Sequence, residues 1–176
     1  VRVRNRMYLF SDADCSYLKK VFGISSFSKA VMLEPLLPTL HTFLLSFLPQ
    51  QSFTTFRATV KKLDDQTIAI PSPELEQQLG GFVLEHFPEK KVALKNNDLN
   101  LQFEFFQGKA YFFTSTLAGF DGLPVGSEGT VCVLLDSPES IAAALLMMKR
   151  GCSCVFYQQQ QVDTALLQPY CFGKII

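Results

Sequence analysis

Cysteine offers the most reactive side chain in this sequence, because a thiolate can act as a nucleophile or bind a metal. Four of the five cysteines lie in the C-terminal third: Cys132, Cys152, Cys154 and Cys171. None belongs to a recognisable motif, and Cys152-x-Cys154 lacks a second ligand pair at zinc spacing. Cys132 and Cys154 fall on predicted buried strands, so core packing is expected and no metal site is predicted.

The two histidines are the usual candidates for a general base. His41 lies in an apolar helical stretch, and His86 lies at the end of the next predicted helix. Neither belongs to a cysteine, serine or carboxylate constellation that would make it a base. Both are predicted to be structural, and no catalytic residue is assigned.

Clustered cations are the residues best suited to contact a phosphate backbone. They form three groups: Arg57, Lys61 and Lys62; Lys90, Lys91 and Lys95; and Lys149 with Arg150. Lys plus Arg equals Asp plus Glu at 16 each, so no whole-molecule field supports them. Any nucleic-acid site must therefore be a local patch, and the alternative is an ordinary solvated face.

The composition indicates a packed, globular chain. Its 176 residues are 48% hydrophobic and 18% charged, with 17 phenylalanines, which excludes a largely disordered protein. An odd number of cysteines without a CxxC pair favours a reducing compartment, so a cytoplasmic location is expected. The apolar stretch from Leu33 to Leu48 contains Pro35 and Pro38 and is too short for a membrane span. No signal peptide is expected either.

The first part of the chain is predicted to be half of a small α+β unit. Tyr8 to Phe10 and Ser25 to Met32 are predicted strands, and Asp12 to Phe22 is a predicted helix that ends at Gly23. A further helix is expected from Pro35 to Leu48. The unit is thus expected to lack its beginning.

The middle of the chain is predicted to have the order helix, strand, helix, strand, strand. Phe56, Ala58 and Val60 alternate with polar residues, which is typical of a half-buried strand. Ser72-Pro73-Glu74 predicts a helix start with a capping hydroxyl. The alternating run from Leu99 to Phe105 and the β-rich run from Lys109 to Leu117 are predicted to pair as a hairpin.

A glycine-rich segment from Ala118 to Gly129 is predicted to be a flexible loop that ends the middle domain. Beyond it, Thr130 to Leu135 is a predicted buried strand, Ser137-Pro138-Glu139 begins a helix that runs to Arg150, and Ser153 to Tyr157 is a further strand. These three elements form one βαβ unit. Residues 158–176 are too few to complete a doubly wound sheet.

Several strings resemble the tRNA 4-thiouridine synthases, also called thiamine-biosynthesis tRNA sulfurtransferases. The strings are Phe22-Gly23-Ile24, Phe56 to Lys62, Pro71 to Leu75, Gly119 to Ser127, and Met147-Met148-Lys149-Arg150-Gly151. They occur in order and in register from about Arg6 to Tyr157. The resemblance implies a ferredoxin-like domain, a THUMP domain that holds the tRNA acceptor end, and a PP-loop ATPase domain that adenylates a uridine before sulfur delivery.

The predicted fold class is therefore α+β, with three parts of unequal completeness. Residues 1–32 are expected to be a partial ferredoxin-like unit. Residues 33–118, with a loop to 129, are expected to be a THUMP domain. Residues 130–176 are expected to be a truncated βαβ remnant of an α/β PP-loop domain, and the family's sulfur-handling cysteine lies beyond the part that this chain covers.

The family resembled here carries a Ser-Gly-Gly-x-Asp-Ser loop for the phosphates of ATP. At that position this chain has Leu135, Asp136, Ser137, Pro138, Glu139 and Ser140, of which only Ser140 is retained. A phosphate cradle needs glycine N–H groups that face inward. A carboxylate in contact with a phosphate would repel it by roughly 4 kcal/mol at an effective dielectric constant of about 20, whereas a helix dipole contributes about 0.3–1 kcal/mol. The loop is therefore predicted to be degenerate, and ATP with Mg²⁺ is expected as a cofactor only if it still functions.

These features predict a tRNA-binding protein that is not catalytic alone and that presents the acceptor end of tRNA to a PP-loop or sulfur-carrier partner. The candidate RNA contacts are Arg57, Lys61, Lys62, Lys95, Phe120, Lys149 and Arg150. Cations and an aromatic ring beside a flexible loop suit phosphates, 2′-hydroxyls and stacked bases. Two alternatives stay open: a sulfurtransferase that needs a complementing subunit, and a protein-interaction module that uses the open edge of the βαβ unit.

Overall fold

The structure, a computed structural model, describes residues 2–3, 6–158 and 162–170. The helices are α1 (Leu37–Phe47), α2 (Ser72–His86) and α3 (Pro138–Lys149). The strands are β1 (Arg2–Val3), β2 (Arg6–Met7), β3 (Ser26–Phe27), β4 (Val31–Leu33), β5 (Thr55–Lys62), β6 (Lys91–Val92), β7 (Leu99–Phe106), β8 (Lys109–Phe113), β9 (Leu117–Ala118), β10 (Thr130–Leu135) and β11 (Ser153–Gln158). Short 3₁₀ helices cover Ser16–Lys20 and Leu48–Gln50.

The chain divides into two compact units. One unit comprises Ser28–Thr116, and the other comprises the described residues of Val1–Phe27 and Leu117–Ile176. The mixed α/β architecture agrees with the predicted fold class. The division into three domains stays a prediction. No helix among the described residues has the length and hydropathy to cross a bilayer.

The Ser28–Thr116 unit is built on a five-stranded sheet in the order β4-β8-β7-β5-β6. Strand β5 is parallel to both β6 and β7, while β7 and β8 form the predicted antiparallel hairpin. The alternation predicted for β5 is confirmed, because Phe56, Ala58 and Val60 are buried. Helices α1 and α2 contribute to the same core through Leu40, Leu44, Leu75, Leu79 and Val83.

The start of α2 differs in one detail from the prediction. Pro71 precedes the helix and Ser72 is its first residue, without a side-chain hydrogen bond that caps the helix. Glu76 in the second turn instead accepts a hydrogen bond from the Val60 N–H at 2.8 Å. Strand β6 ends at Val92, which pairs with Phe56, so β6 does not reach Val60. The Glu76 carboxylate therefore satisfies a backbone N–H that has no strand partner on that side.

In the other unit, β10 and β11 are parallel and α3 connects them, so the predicted βαβ unit is confirmed. Its core contains Phe22, Leu135, Ile141, Met148, Phe156 and Leu167. The prediction that β10 is buried is wrong, because Cys132 and Leu134 are exposed. A strand alternates its side chains between two faces, and only the face toward α3 is covered within the described residues.

The predicted N-terminal elements are also shorter than expected. Tyr8 to Phe10 is not a strand, and only Ser16–Lys20 of the predicted helix is helical, as a 3₁₀ turn. Asp14 accepts hydrogen bonds from the N–H and the hydroxyl of Ser16, which is a local turn that competes with an α-helix. The turn buries no residue, so no packed apolar face stabilises a longer helix.

The strand predicted from Ser25 to Met32 is divided into two. β3 pairs with β9, whereas β4 pairs with β8. The two halves thus pair with different sheets, which a continuous sequence pattern does not reveal.

Candidate nucleic-acid interface

The three cations predicted on β5 occupy different environments. Arg57 and Lys61 share the sheet face opposite to Phe56, Ala58 and Val60, and Lys61 is exposed. The Lys62 side chain lies on the other face of the strand, and only 14% of it is exposed. Its Nζ lies 3.7 Å from Asp65 and 3.5 Å from the Ile70 carbonyl. Lys62 therefore serves local structure, and Lys61 is the more accessible cation.

Arg57 is partly buried and contacts a neighbouring loop. Its Nη1 donates a hydrogen bond to the Leu94 carbonyl at 3.3 Å. Its Nε–H is buried and has no hydrogen-bond partner among the described residues. A buried donor without a partner costs about 1–3 kcal/mol. Arg57 is thus held in place at an energetic cost, and its charge is directed toward residues 93–98.

The connection from β6 to β7, residues 93–98, is defined here as the β6–β7 loop. Asp98 fastens its end, because one carboxylate oxygen accepts from the N–H groups of Thr54 (3.0 Å) and Thr55 (2.8 Å) and from the Thr55 hydroxyl (3.0 Å). These hydrogen bonds, first the one from the Thr55 N–H, lower the pKa of Asp98. The carboxylate therefore stays ionised and keeps the loop attached to β5.

Lys95 is exposed in this loop, and Lys91 is exposed on β6 just before it. Neither side chain forms a hydrogen bond or ion pair within the part of the chain that the structure describes. Lys90 differs, since its Nζ donates to the Phe53 carbonyl at 2.9 Å and lies 4.6 Å from the Phe53 ring centroid. The structure thus assigns Lys90 to packing and leaves Lys91 and Lys95 facing solvent.

In the second unit, Phe120 belongs to a cluster of three aromatic rings. Its centroid lies 4.6 Å from that of Phe22 and 5.2 Å from that of Tyr170. The Lys149 Nζ lies 5.7 Å from the centroid of Phe120. The ring therefore has a packing role here, and its stacking on RNA stays a prediction. Arg150 is exposed at the end of α3.

The glycine-rich segment after Ala118 is irregular, as predicted, but backbone hydrogen bonds fasten it. The Leu123 N–H donates to Lys149, and the N–H groups of Gly126 and Glu128 donate to Gly151, at 2.8 to 3.0 Å. Gly122 has φ +88°, and a Cβ there would lie 2.2 Å from the Lys149 carbonyl oxygen. The segments 119–127 and 147–151 thus meet in one place, and such a set of contacts does not fit the flexibility expected of this loop.

The polar groups between β10 and α3 are used to begin the helix. Pro138 is its first residue and has no N–H, while the Ser140 N–H donates to the Ser137 carbonyl at 3.2 Å. The Ser140 hydroxyl donates to the same carbonyl at 2.6 Å and accepts from the Ser137 N–H at 3.4 Å. Asp136 and Glu139 are exposed, and Leu135 is buried.

The cysteines are spread over several environments. Cys132 is exposed, so the expectation that it packs in the core is wrong, whereas Cys152 is buried and the Cys154 Sγ lies 3.9 Å from the Ala144 carbonyl. Cys171 lies outside the described residues. Among the residues that the structure does describe, no three His, Cys, Asp or Glu side chains are grouped as metal ligands.

His41 and His86 lie on either side of Phe82. The centroids of His41 and Phe82 are 3.8 Å apart with nearly parallel rings, and those of Phe82 and His86 are 4.2 Å apart. The His86 ring contacts the Phe82 carbonyl through Nδ1 at 3.0 Å. This stack links α1 to α2.

Comparison with known proteins identifies the middle of the chain. Residues 44–115 match the THUMP domain family. The chain is 34% identical over 157 residues to a "probable tRNA sulfurtransferase" of Enterococcus faecalis, covering 84% of this chain and 38% of that protein. A protein of the same description from Pediococcus pentosaceus is 33% identical over 144 residues, covering 80% and 35%. The chain thus spans about two-fifths of the length of these relatives.

Two solved structures have a similar fold. A crystal structure of a protein from Pyrococcus horikoshii Ot3 superposes with a TM-score of 0.75 and 30% identity, covering 86% of this chain and 53% of that one. A 4-thiouridine synthetase in complex with RNA and ATP superposes with a TM-score of 0.70 and 26% identity, covering 85% and 40%. Residues 44–115 are therefore a THUMP domain, and over most of its length the chain is a relative of the tRNA sulfurtransferases.

Proposed function

We propose that this chain binds tRNA at the acceptor end through its THUMP domain and does not itself activate a nucleotide. The observation that carries the proposal is a THUMP domain with solvent-facing cations in a chain related to tRNA sulfurtransferases. A similar solved structure is a synthetase in complex with RNA. RNA is thus the ligand class that best suits this domain.

The loop before α3 supports the second half of the proposal. Asp136 and Glu139 stand where the resembled family places a glycine and an aspartate of its phosphate loop. Pro138 offers no N–H, and the Ser140 hydroxyl is already hydrogen-bonded to Ser137. A triphosphate would meet the Asp136 carboxylate in place of a glycine and few free donors, so the loop is a poor cradle for ATP.

A partner would then supply the chemistry. A PP-loop protein or a sulfur carrier is the class that fits, because the relatives are described as tRNA sulfurtransferases. The thiols of Cys15, Cys132 and Cys152, which form no disulfide among the described residues, support a reducing compartment such as the cytoplasm. A role connected with thiamine biosynthesis belongs to the same proposal.

A mobility shift with two RNAs tests the binding. The purified chain is titrated with whole tRNA and with tRNA that lacks its single-stranded 3′ end. Tighter binding of whole tRNA is expected, because single-stranded nucleotides expose the base faces and edges that proteins recognise. Failure to bind either RNA would refute the proposal, and equal binding would refute its acceptor-end part.

Calorimetry with Mg-ATP tests the absence of nucleotide binding on the same preparation. No heat of binding is expected from the isolated chain. Firm uptake of Mg-ATP would instead favour the second candidate function, a tRNA sulfurtransferase that is active with a complementing subunit. The identity to proteins described in that way is the observation in its favour.

A further inference from the structure

The β6–β7 loop is fastened along one strand, although it has no regular structure. The Ala93 N–H donates to the Phe56 carbonyl at 2.9 Å, and the Asp98 N–H donates to the Thr55 carbonyl at 3.2 Å. Together with the three hydrogen bonds that the Asp98 carboxylate accepts, these contacts fix both ends of the loop on β5.

Arg57 fixes the middle of the loop. The guanidinium group of Arg57 donates a hydrogen bond to the Leu94 carbonyl at 3.3 Å. Its Nε–H is buried without a hydrogen bond among the described residues. The fastening therefore includes an interaction that leaves one donor unsatisfied. This arrangement is costly for a loop that needs only to connect two strands.

Strand β6 and the β6–β7 loop direct apolar and cationic side chains to solvent. Leu94 is 69% exposed and Val92 is 48% exposed, while Lys91 and Lys95 have no ionic partner within the described residues. Lys91 and Lys95 lie on either side of the exposed apolar pair in the sequence. Cations beside apolar side chains suit a nucleic acid, whose phosphates need charge and whose sugars and bases offer apolar faces.

We propose that strand β6 and the β6–β7 loop form an RNA-backbone contact of the THUMP domain, with Lys91 of β6 and Lys95 of the loop on phosphates and Arg57 as a positioning residue. This inference rests on the proposed function and names the part of the domain that performs it. Because the loop is already ordered, RNA binding loses less conformational entropy than it would with a flexible loop. Arg57 acts by holding Leu94, and it does not contact RNA.

The test variant is Lys91→Gln with Lys95→Gln, and the control variant is Lys29→Gln with Lys109→Gln, in which Lys109 is ion-paired with Glu34. Both pairs remove two positive charges from the same unit. Strand β6 lies at one edge of the sheet, whereas Lys29 precedes β4 at the other edge and Lys109 begins β8 beside it. Thermal unfolding followed by circular dichroism verifies that both variants fold.

Binding of whole tRNA is measured over a range of salt concentrations. Removing Lys91 and Lys95 is expected to weaken binding about ten- to thirtyfold near physiological salt and to reduce the slope of log K against log salt by about one for each lysine. The control pair is expected to bind as the wild-type chain does.

The variant Arg57→Gln tests the positioning role. Faster hydrogen exchange at the amides of residues 93–98 is expected, together with weaker tRNA binding. In the background that lacks Lys91 and Lys95, the same substitution is expected to change binding little. Arg57→Lys keeps the charge, so restored binding with fast exchange in the loop would show a direct charge contact and overturn the positioning role.

The remaining outcomes separate this inference from the proposed function. If wild-type chain binds tRNA but the loss of Lys91 and Lys95 leaves affinity and slope unchanged, the loop proposal is wrong and tRNA binding stands. Equal weakening by the control pair would also overturn it, because any two charges would then suffice. A wild-type chain that binds no tRNA refutes both.

Discussion

At the scale of single residues, His41 shows how packing sets the charge of a side chain. Burial is the main cause that lowers its pKa below the ordinary value of 6.5, and the charge of His86 lowers it further, while Glu85 opposes them. The ring is stacked on Phe82, and its Nε2 is buried without a hydrogen bond among the described residues. The charged ring must carry a proton on Nε2, where it has no acceptor among the described residues, so the folded state favours neutral His41.

The lowered pKa predicts that stability falls in mild acid. Neutral His41 contributes fully to the stability of the fold above pH 6.5, its ordinary pKa. That contribution is lost as the pH falls through the lower pKa of the folded state. His41→Phe keeps an aromatic ring on Phe82 and removes the titration. We expect it to flatten the decline of the unfolding free energy between about pH 7 and pH 5, a decline that one proton limits to about 1.4 kcal/mol per pH unit. Urea unfolding at several pH values measures this.

The matched variant is His86→Phe. It removes the charge of His86 but leaves the burial of His41, the larger cause of the lowered pKa, in place. It is expected to retain most of the decline. The lowered pKa values of Asp64, Asp98 and Asp121 affect stability only below about 3.8, so they do not obscure this range. A wild-type chain whose stability is constant over the range would contradict the argument.

At the scale of elements, the sequence predicts those that carry a complete periodic signal. The alternation from Phe56 to Val60 places β5, and Ser72-Pro73-Glu74 places the start of α2. One face of each element enters one core. The elements before Leu33 were predicted less well. They are held by local turns such as that at Asp14, or pair in pieces with distant strands, as β3 does with β9. Periodicity carries no information about either.

The candidate site shows the same division. Sequence patterns locate the cations, but they do not reveal which of them are engaged. Lys62 and Arg57 are both cations of β5. In the structure Lys62 contacts Asp65, whereas Arg57 donates to the Leu94 carbonyl. Leu94 lies 37 residues from Arg57 in the chain, so a charge pattern within one segment does not reveal that contact, whereas Asp65 is only three residues from Lys62.

The contact between α2 and β5 gives a prediction at the element scale. Glu76→Ala removes the acceptor of the part-buried Val60 N–H, and we expect a loss of about 1–3 kcal/mol in the free energy of unfolding. Glu76→Gln keeps an acceptor oxygen and should cost less. Glu85→Ala, an exposed position in the last turns of the same helix, should change stability by no more than about 0.5 kcal/mol. Equal effects of the two alanine variants in urea unfolding would rule out a stabilising role of Glu76 as the acceptor of the Val60 N–H.

At the scale of the whole molecule, two separate cores support surfaces of different character. The core of Ser28–Thr116 positions the β6–β7 loop, and the core around Met148 and Phe156 supports the βαβ unit. Acidic and basic residues balance at 16 each. Attraction to RNA must therefore come from local contacts, because a neutral molecule exerts little long-range attraction on a polyanion.

This balance predicts a shallow salt dependence of tRNA binding. The candidate cations that face solvent without a partner among the described residues are Lys61, Lys91, Lys95 and Arg150. Each neutralised phosphate contributes about −0.9 to the slope of log K against log salt on a duplex and about −0.7 on a single strand, so the slope should not exceed about −4. Binding isotherms at several potassium concentrations give this value. A slope near −8 would require about twice as many phosphate contacts as these side chains can make, and would place the main RNA-binding surface elsewhere on the chain.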